Sequence, residues 1–469
     1  MSVHALGLVL NRWFRRWMPD PFVLAVLLTG IVFVAAVLFG DAYPADSSLL
    51  ERFETTLLHW KDHLFDGKRG GVNKGYLYFA FQMCVMLVTG HALATSRPVG
   101  RVVGALARAP RTPAAAVAMV AFVACSAALV HWALGLIVGA LIARETGRQC
   151  ARRGLAVEYP LLGAAGYTGL MVWGGGLSGS IPLKAMDYVP PVHLAQGFPF
   201  PNGIPQEETL FSTLNFAVCG ALVLFVPLVA ALLHPRSGQA VVEYREGAGE
   251  DVTASDGDRE GAETGVEKLE SSPMLAMVLG ALGLLAMGLD EWGQDFKLTF
   301  NKLNLLFLFL GILFQGSLIA YVRAVGDGVR GCAGILLQFP FYFGILGILF
   351  VSGLASQISA WIASISTEAT YPVATYLSAG IVNFFVPSGG GQWIVQKDIV
   401  IEGALQHGDS IGRSILAMAY GDGWTNMLQP FWAVPLLAIT GLKAREIIGY
   451  TATIMILAGA LTMALLLFI

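Results

Sequence analysis

The chain has 469 residues, of which 55% are hydrophobic and only 13% are charged, and its formal net charge is -3. Soluble domains carry about 25% charged residues, so this composition indicates an integral membrane protein and argues against a nucleic-acid partner. Many apolar runs reach the length of about 20 residues that spans hydrocarbon as a helix, unlike the short alternating strands of a β-barrel. The five scattered cysteines favour packing roles over a disulfide or a metal site.

The first part of the chain predicts a multi-pass protein of the cytoplasmic (inner) membrane. Residues 1–20 mix three arginines with aromatic residues, which is typical of an amphipathic segment on the cytoplasmic surface. An uncleaved first span follows at about 21–39, because no cleavage site precedes a soluble domain. The polar residues 41–75 are expected outside the membrane with one short amphipathic helix, and a second span covers about 77–95.

The apolar stretch 112–145 predicts a re-entrant hairpin. As one helix it would measure about 48 Å, well beyond the hydrocarbon core of about 30 Å. Basic clusters flank it at 97–111 and 144–153, so the positive-inside rule places both of its ends in the cytoplasm. The hairpin therefore enters from the cytoplasmic side and carries His131 in its interior.

A broken span is predicted at 159–183, where WGGGLSGS at 173–180 interrupts the apolar sequence. A polar external loop follows, and a span at about 210–233 then returns to the cytoplasm. These elements form a first repeat, 21–234. Residues 235–270 are rich in Gly, Glu and Asp without an apolar period, which predicts a disordered or loosely ordered cytoplasmic linker.

The second repeat, 271–469, contains a second predicted hairpin at 372–402, where NFFVPSGGGQW interrupts an apolar segment. Proline removes a backbone donor and each glycine disfavours helix by about 1 kcal/mol, so the glycine-rich run is expected to be a non-helical tip. In a bilayer such backbone persists only where protein or a water-filled cavity satisfies its polar groups. A second broken span at 411–437 is interrupted by YGDGWTNM at 420–427. Further spans are expected at about 272–290, 303–322 and 332–355, with an external loop at 356–371.

Three pairs of short strings recur in the same order in the two halves. They are VTGHALA (88–94) with VSGLASQ (351–357), SAALVHW (126–132) with SAGIVNF (378–384), and WGGGLSGS (173–180) with YGDGWTNM (420–427). Each match alone is also explained by chance similarity of apolar segments, but the loop charges independently place the halves on opposite topology. The predicted fold is an all-α polytopic membrane protein with inverted-topology repeats, each holding a re-entrant hairpin and a broken transmembrane helix. This pattern is typical of secondary transporters.

Several longer strings carry a family resemblance. VPSGGGQW, AYGDGW with QPFWA downstream, WGGGLSGSIPL and MPDPF together resemble the AtoE-type short-chain fatty acid transporter family, over essentially the whole chain apart from the 41–75 loop and the 235–270 linker. The resemblance implies a cytoplasmic-membrane permease for small monocarboxylates such as acetoacetate or butyrate. The hairpin-plus-broken-helix repeat is also similar to elevator-type carriers of the ion transporter superfamily, and that analogy suggests a homodimer.

The chemistry of a monocarboxylate points to the two glycine-rich interruptions. Half-helix N-termini carry about +0.5 charge and free N–H groups, and glycine allows a ligand close to the backbone. The candidate substrate-binding residues are Asn383, Ser388, Gly389, Gly390, Gly391, Gly174, Gly175, Gly176, Ser178, Ser180, Thr425, Asn426 and His131. Trp132, Trp173, Phe384, Trp393 and Trp424 are candidate walls for the apolar tail. Other interpretations stay open: the glycines for helix packing, the hydroxyls for bonds to their own helices, the aromatic residues for lipid contact.

Two titratable residues fall inside predicted membrane elements. Asp422 is the ion-coupling candidate, because a carboxylate within a span is costly and by default functional, although it also fits a helix cap at a water-filled break. His131 fits a proton carrier as well as a packing residue. No cofactor is expected beyond a coupling Na⁺ or H⁺.

The predicted function is a secondary transporter that moves short-chain fatty acids by alternating access, with ion coupling. The alternatives are an ion antiporter and a di- or tricarboxylate carrier of the same architecture. No basic residue adjoins the glycine-rich tips, which favours one negative charge over two or three. Enzymatic signatures such as G-x-S-x-G, H-E-x-x-H or a P-loop do not occur, so the chain is not expected to be an enzyme.

Overall fold

The computed structural model describes residues 21–64, 76–191, 194, 198–235, 240–245, 265–290 and 299–469. Helices, turns and connecting segments make up these ranges, and none of them contains a β-strand. The predicted all-α class is therefore confirmed for this part of the chain. The amphipathic segment predicted at 1–20 lies outside the described residues.

The helices before the linker have the following bounds: α1 (Pro21–Phe39), α2 (Leu49–His63), α3 (Tyr76–Ala94), α4 (Arg97–Arg108), α5 (Pro113–Val130), α6 (Trp132–Arg152), α7 (Tyr159–Tyr167), α8 (Gly169–Val172), α9 (Ser180–Ala185) and α10 (Thr213–Leu233). The last residues of the predicted linker are helical rather than disordered and form α11 (Gly265–Glu270). The helices after the linker are α12 (Pro273–Asp290), α13 (Phe300–Gln315), α14 (Leu318–Arg330), α15 (Cys332–Ser352), α16 (Leu354–Ser364), α17 (Tyr371–Asn383), α18 (Gly389–His407), α19 (Ile411–Thr425), α20 (Pro430–Thr440) and α21 (Ala444–Phe468). Short 3-10 turns lie at Trp173–Gly175, Gln206–Glu208 and Asn426–Leu428.

Membrane-spanning candidates are distributed along the whole chain. Within the described ranges, six helical segments are long and apolar enough to cross a bilayer: Phe22–Phe39, Pro113–Val130, Thr213–Leu233, Gly265–Asp290, Cys332–Ser352 and Ala444–Phe468. Shorter apolar helices at Ala80–Ala94 and Asn301–Gln315 pack among them. The molecule is a multi-pass membrane protein, as the composition predicts.

The first predicted hairpin consists of α5 and α6. The Thr112 hydroxyl caps the start of α5, and the hairpin turns at His131, whose backbone is extended (φ -159°, ψ 128°). The two arms pack so closely that a Cβ atom on Gly135 would stand 2.5 Å from Ala128. The second arm continues to Arg152, past the end predicted at 145.

The first broken span lies where its glycine run predicts it. The chain passes from α7 and α8 through the 3-10 turn to Gly176, which leaves the helical region (φ -86°, ψ 172°), and α9 resumes at Ser180. The Leu177 amide within this break donates to the Leu129 carbonyl of the first hairpin at 2.7 Å. Protein thus supplies a hydrogen-bond partner for this non-helical amide, as a bilayer requires.

The second hairpin consists of α17 and α18, but its non-helical tip is 384–388 rather than the glycine triplet. Ser388 is extended (φ -156°), and its hydroxyl accepts from the Gly391 amide at 3.3 Å. Gly389, Gly390 and Gly391 form the first helical turn of α18. The prediction of a non-helical triplet was wrong, because the Ser388 cap and the burial of this turn outweigh a propensity cost of about 1 kcal/mol per glycine.

The second broken span is interrupted later than its motif predicts. Helix α19 runs through most of 420–427, and the break follows at 426–429. Gly421 and Gly423 are therefore helical, which corrects the prediction. Gly421 permits close packing of α19 on α17, since a Cβ atom there would stand 2.2 Å from the Tyr376 carbonyl oxygen.

Two further element predictions are corrected in the second half. The span predicted at 303–322 is two helices, because Gly316 adopts a left-handed conformation (φ +79°) and Ser317 caps the next helix. Glycine tolerates this conformation without a Cβ clash, so it ends α13. The loop predicted at 356–371 is helical as far as Ser364, where α16 ends.

One segment of the predicted linker packs against the first broken span. The Val242 amide donates to the Glu158 carboxylate at 2.8 Å, and the Val242 carbonyl accepts from the Tyr159 amide at 2.7 Å. The Tyr244 ring meets Tyr159 edge-on, with 5.2 Å between ring centroids. Residues 240–245 thus pack against the start of α7. Linker residues 236–239 and 246–264 lie outside the described ranges.

Candidate functional site

A small cavity, here called the inner cavity, lies where the two hairpins and the two broken spans approach one another. The residues that line it are Met83, Trp132, Leu170, Trp173, Ser180, Ser388, Gly389, Asn426 and Trp432. Its volume is about 10 Å³, roughly the space that one water molecule needs. None of these lining residues is ionisable. The cavity therefore joins an aromatic and aliphatic wall to hydroxyl, amide and backbone groups.

The polar wall is built around the first turn of α18. The amides of Gly389 and Gly390 lie where an α-helix has no acceptor of its own, and the N-terminus carries about +0.5 charge. Ser388 lies at this end of the helix, which is 19 residues long. Ser180 of α9 lies against this turn, since a Cβ atom on Gly389 would stand 3.3 Å from the Ser180 Cβ. The two interrupted elements thus bring two hydroxyls to one helix N-terminus.

Asp422 lies directly beside this helix turn. Its side chain is 2% exposed, and Oδ2 would stand 3.0 Å from a Cβ atom on Gly389. Oδ1 has no hydrogen-bond partner among the described residues. A buried carboxylate is costly unless it is paired or neutralised, and the positive end of α18 favours its negative charge. The Asp422 carboxylate therefore lies beside the N-terminal turn of α18, at the edge of the inner cavity.

Asn383 connects the second hairpin to the second broken span. Its side-chain amide donates to the Asp422 carbonyl at 2.8 Å, to the Thr425 hydroxyl at 2.9 Å and to the Asn426 side-chain oxygen at 3.1 Å. The backbone carbonyl of Asn383 accepts a hydrogen bond from the Gln429 side-chain amide at 2.5 Å. The predicted residues Asn383, Thr425 and Asn426 are thus brought together. Of these three, Asn426 lines the inner cavity, and Asn383 and Thr425 support it from behind.

The first interruption is held mainly by packing. The Ser178 hydroxyl accepts from the Trp132 amide at 2.9 Å, so this predicted site residue ties the break to the tip of the first hairpin. The glycines of the triplet each meet a different neighbour: a Cβ atom would stand 2.5 Å from the Ala419 carbonyl oxygen at Gly174, 2.4 Å from Asn215 Oδ1 at Gly175, and 2.6 Å from the Leu129 carbonyl oxygen at Gly176. These contacts fit the packing interpretation raised for the sequence.

His131 faces away from the inner cavity. Its Nδ1 accepts from the Leu134 amide at 3.4 Å and so caps α6. Its ring meets Phe307 of α13 edge-on, with 4.2 Å between centroids. The sequence placed His131 at a hairpin tip, and the structure agrees with that position. However, its ring is on the side of the tip that packs against α13.

The candidate aromatic wall is present in part. Trp132 and Trp173 line the inner cavity, whereas Trp393 packs on Tyr188 and Trp424 stacks on Tyr376. Phe384 is likewise not among the lining residues. The sequence reasoning missed Met83, Leu170 and Trp432. The QPFWA string holds Trp432 and was a signal for it, but Met83 comes from an apolar helix with no distinguishing motif.

A protein-family model described as short chain fatty acid transporter matches residues 2–469. The chain belongs to this family. The resemblance seen in the sequence motifs is therefore confirmed.

Relatives in the short-chain fatty acid transporter family extend over nearly the full chain. An Escherichia coli protein provisionally named a short-chain fatty acid transporter is 38% identical over 464 residues, covering 96% of each chain. A Haemophilus influenzae protein with the same provisional name is 37% identical over 449 residues, covering 95% of each chain. A crystal structure of the Alcanivorax borkumensis YdaH transporter, described as revealing an unusual topology, gives a TM-score of 0.48 at 14% identity, covering 95% of this chain and 98% of that one.

Proposed function

We propose that this member of the family is a secondary carrier for short-chain monocarboxylates, with acetoacetate and butyrate as typical substrates. The observation that carries the proposal is the lining of the inner cavity. The lining combines an N-terminal helix turn, two hydroxyls and an amide side chain with tryptophan, methionine and leucine side chains. A short fatty acid combines the same two kinds of group, one carboxylate and a small apolar tail.

The carboxylate is assigned to the start of α18. Free amides at a helix N-terminus bind anions without a permanent cation, so the anion is also released readily. The hydroxyls of Ser388 and Ser180 donate to the same carboxylate from two different elements. Hydrogen bonds to an ionised group are worth about 1.5–3 kcal/mol each, which gives a small ligand useful affinity without Arg or Lys.

The tail is assigned to the tryptophan wall. Burial of apolar surface contributes about 0.8 kcal/mol per CH₂ group, so affinity rises with chain length until the wall stops it. The inner cavity holds only about 10 Å³ in this state, far less than any carboxylic acid needs. Binding therefore requires the hairpin tips and broken spans to separate, which is the type of movement that alternating access provides.

Asp422 is assigned to ion coupling. It already occupies the positive end of α18, and a substrate carboxylate arriving beside Gly389 would face a second negative charge in a low-dielectric site. A proton or a Na⁺ on Asp422 removes that repulsion. Substrate and cation then bind best together, which makes the carrier a symporter.

The two alternative functions fit the site less well. A di- or tricarboxylate would bring more negative charge to an inner cavity whose lining residues include no Arg, Lys or His. An ion antiporter would use Asp422 but would leave the tryptophan wall and the paired hydroxyls without a role. Both alternatives are included as outcomes of the test.

Uptake of labelled butyrate into proteoliposomes tests the proposal. We expect uptake that is saturated by unlabelled acetoacetate, resistant to succinate and citrate, and accelerated by an inward gradient of either H⁺ or Na⁺. Protein-free liposomes with the same gradients measure passive entry of the protonated acid. Competition by citrate would favour the polycarboxylate carrier, and cation exchange without butyrate uptake would favour the antiporter.

A further inference from the structure

Two further cavities lie between the inner cavity and one face of the molecule. The larger, here called the vestibule, has a volume of about 160 Å³ and is bounded by Leu87, His91, Ile137, Asp327, Arg330 and Ala438 among others. A narrow connecting cavity shares Leu87, Gly331, Val434 and Pro435 with the vestibule. It shares Trp132 and Trp432 with the inner cavity. The three spaces therefore lie in series, each sharing wall residues with the next.

The lining residues of the three cavities follow the same order along three helices. On α3, Met83 lines the inner cavity, Leu87 both outer cavities, and His91 the vestibule. These residues are four apart, so they follow one face of the helix over about 12 Å. On α6 the order is Trp132, Leu136 and Ile137, and on α20 it is Trp432, Val434 and Ala438. Three helices thus give the same order from inside to outside.

The outer end of the path is on the cytoplasmic side. Each of the three helices leads from the inner cavity toward a basic segment: α3 toward Arg97, α6 toward Arg144, Arg148 and Arg152, and α20 toward Lys443 and Arg445. The positive-inside rule assigns all these ends to the cytoplasm. Arg330 and Asp327 lie at the vestibule itself, so the access route carries charge where the inner cavity carries none.

The constriction between the outer path and the inner cavity is aromatic. The Trp132 and Trp432 rings meet edge to face, with 5.3 Å between their centroids and 70° between their planes. Phe339 supports Trp432 from α15 at 6.1 Å. Trp132 begins the second arm of the first hairpin, and Trp432 lies in the first turn of α20 after the second break. A movement of either interrupted element would therefore part the two rings.

We infer that Trp132 and Trp432 form a cytoplasmic gate that also sets the chain-length limit of the substrate. This inference rests on the proposed function and specifies its route and its selectivity. In the present state the gate is shut, the vestibule is open to the cytoplasm, and the inner cavity is nearly filled by its own walls. The carboxylate passes the vestibule beside Arg330, and the tail must fit between the two indole rings.

Thiol labelling tests the path without any transport measurement. In a chain whose five native cysteines are replaced by alanine, Val434→Cys is exposed to a charged, membrane-impermeant thiol reagent. We expect labelling in inside-out vesicles to be about tenfold or more faster than in right-side-out vesicles, because the vestibule offers water on one side only. Ile456→Cys, on an exposed apolar helix face, is the control and should label slowly from both sides. Faster labelling of Val434→Cys in right-side-out vesicles than in inside-out vesicles would overturn the inference.

A second labelling experiment tests the gate itself. Ser388→Cys lies beyond the two rings, so it should label slowly from the cytoplasmic side, and adding Trp432→Ala should raise that rate about tenfold or more. Trp361→Ala, which removes an exposed tryptophan on α16, is the matched control and should leave the rate unchanged. An equal rate with and without Trp432→Ala would refute the gate.

Inhibition of butyrate uptake tests the chain-length limit. Hexanoate and octanoate should inhibit uptake by Trp432→Ala at concentrations about tenfold lower than those that inhibit the wild type. The inhibitory concentrations for Trp432→Phe should lie between those of the wild type and Trp432→Ala. An unchanged inhibition profile in a variant that still transports butyrate would overturn the selectivity claim. A wild type that fails to transport butyrate would instead refute the proposed function, and the labelling rates would still decide the path and the gate.

Discussion

The carboxylate of Asp422 and the first residue of α18, Gly389, are neighbours at the edge of the inner cavity. A Cβ atom on Gly389 would stand 3.0 Å from Oδ2, so a side chain at this position would push the carboxylate aside by a few tenths of an ångström. This glycine comes from the second hairpin, and the aspartate comes from the second broken span. The relation joins the proposed substrate-binding and ion-binding groups in one contact.

The substitution Gly389→Ala is expected to impair transport strongly. The added methyl group would press on Asp422 and on Ser180, and overpacking of this kind costs about 1–3 kcal/mol. We expect the maximal rate of butyrate uptake to fall about tenfold or more, with normal insertion into the membrane. The control is Gly220→Ala on α10, where no atom lies within 4 Å of the new methyl group. Equal uptake by the two variants would show that the contact is not part of the site.

The substitution Asp422→Asn is expected to uncouple transport from its cation. The amide cannot ionise, so no proton or Na⁺ is needed to relieve repulsion with the substrate carboxylate. Butyrate uptake should continue along its own gradient but lose its acceleration by the coupling gradient. Uptake with and without imposed H⁺ and Na⁺ gradients measures this directly. Asp290→Asn, at an exposed helix end, is the control, and a full gradient response in Asp422→Asn would exclude the coupling role.

Asn383 is expected to act by positioning rather than by contact with substrate. Its side-chain amide makes three hydrogen bonds to the second broken span, and it does not line the inner cavity. Asn383→Ala leaves buried acceptors unsatisfied at a cost of about 1–3 kcal/mol, so the melting temperature in detergent should fall. The maximal uptake rate should fall with it, whereas the KM for butyrate should change little. A raised KM at an unchanged melting temperature would place Asn383 in the binding site instead.

Alanine substitutions of the two serines of the first break, Ser178 and Ser180, are expected to have different effects on substrate binding and on stability. Ser180 lines the inner cavity, and its replacement by alanine should raise the KM for butyrate about tenfold, which corresponds to about 1.4 kcal/mol. Ser178 accepts from the Trp132 amide, and Ser178→Ala should lower the melting temperature with a smaller effect on KM. Uptake kinetics and thermal unfolding of both variants provide the comparison. The reverse pattern would exchange the two roles.

The interrupted elements could be predicted because a bilayer leaves so few ways to accommodate Pro and Gly. The turns of both hairpins and the breaks of both spans fall inside the predicted segments, but the helices around them extend further, the first hairpin to Arg152 rather than 145. The inverted relation of the two halves stays a prediction. The position of each break within its range depended on contacts that sequence does not show. Ser388 caps the glycine triplet into a helix, and the bonds from Asn383 hold the second break at 426–429.

The contents of the site were harder to predict than its location. Ser180, Ser388, Gly389 and Asn426 were named from the sequence and line the inner cavity, since hydroxyls and amides at breaks stand out in an apolar chain. Met83 and Leu170 are ordinary apolar residues, and they acquire a role only because α3 and α8 pack beside the hairpin tips. Which helices pack against each other is decided by tertiary structure, so no local sequence pattern predicts that these residues line the cavity.

The contact between residues 240–245 and the start of α7 has a consequence for how the two halves are joined. Val242 is bonded to both Glu158 and Tyr159, so this strip of the connection belongs structurally to the N-terminal half. A cut after Arg245 would leave residues 240–245 covalently joined to the N-terminal half. A cut before Ala240 would instead separate the start of α7 from the chain that carries its backbone partner Val242. Two co-expressed fragments should therefore reassemble better from the later cut.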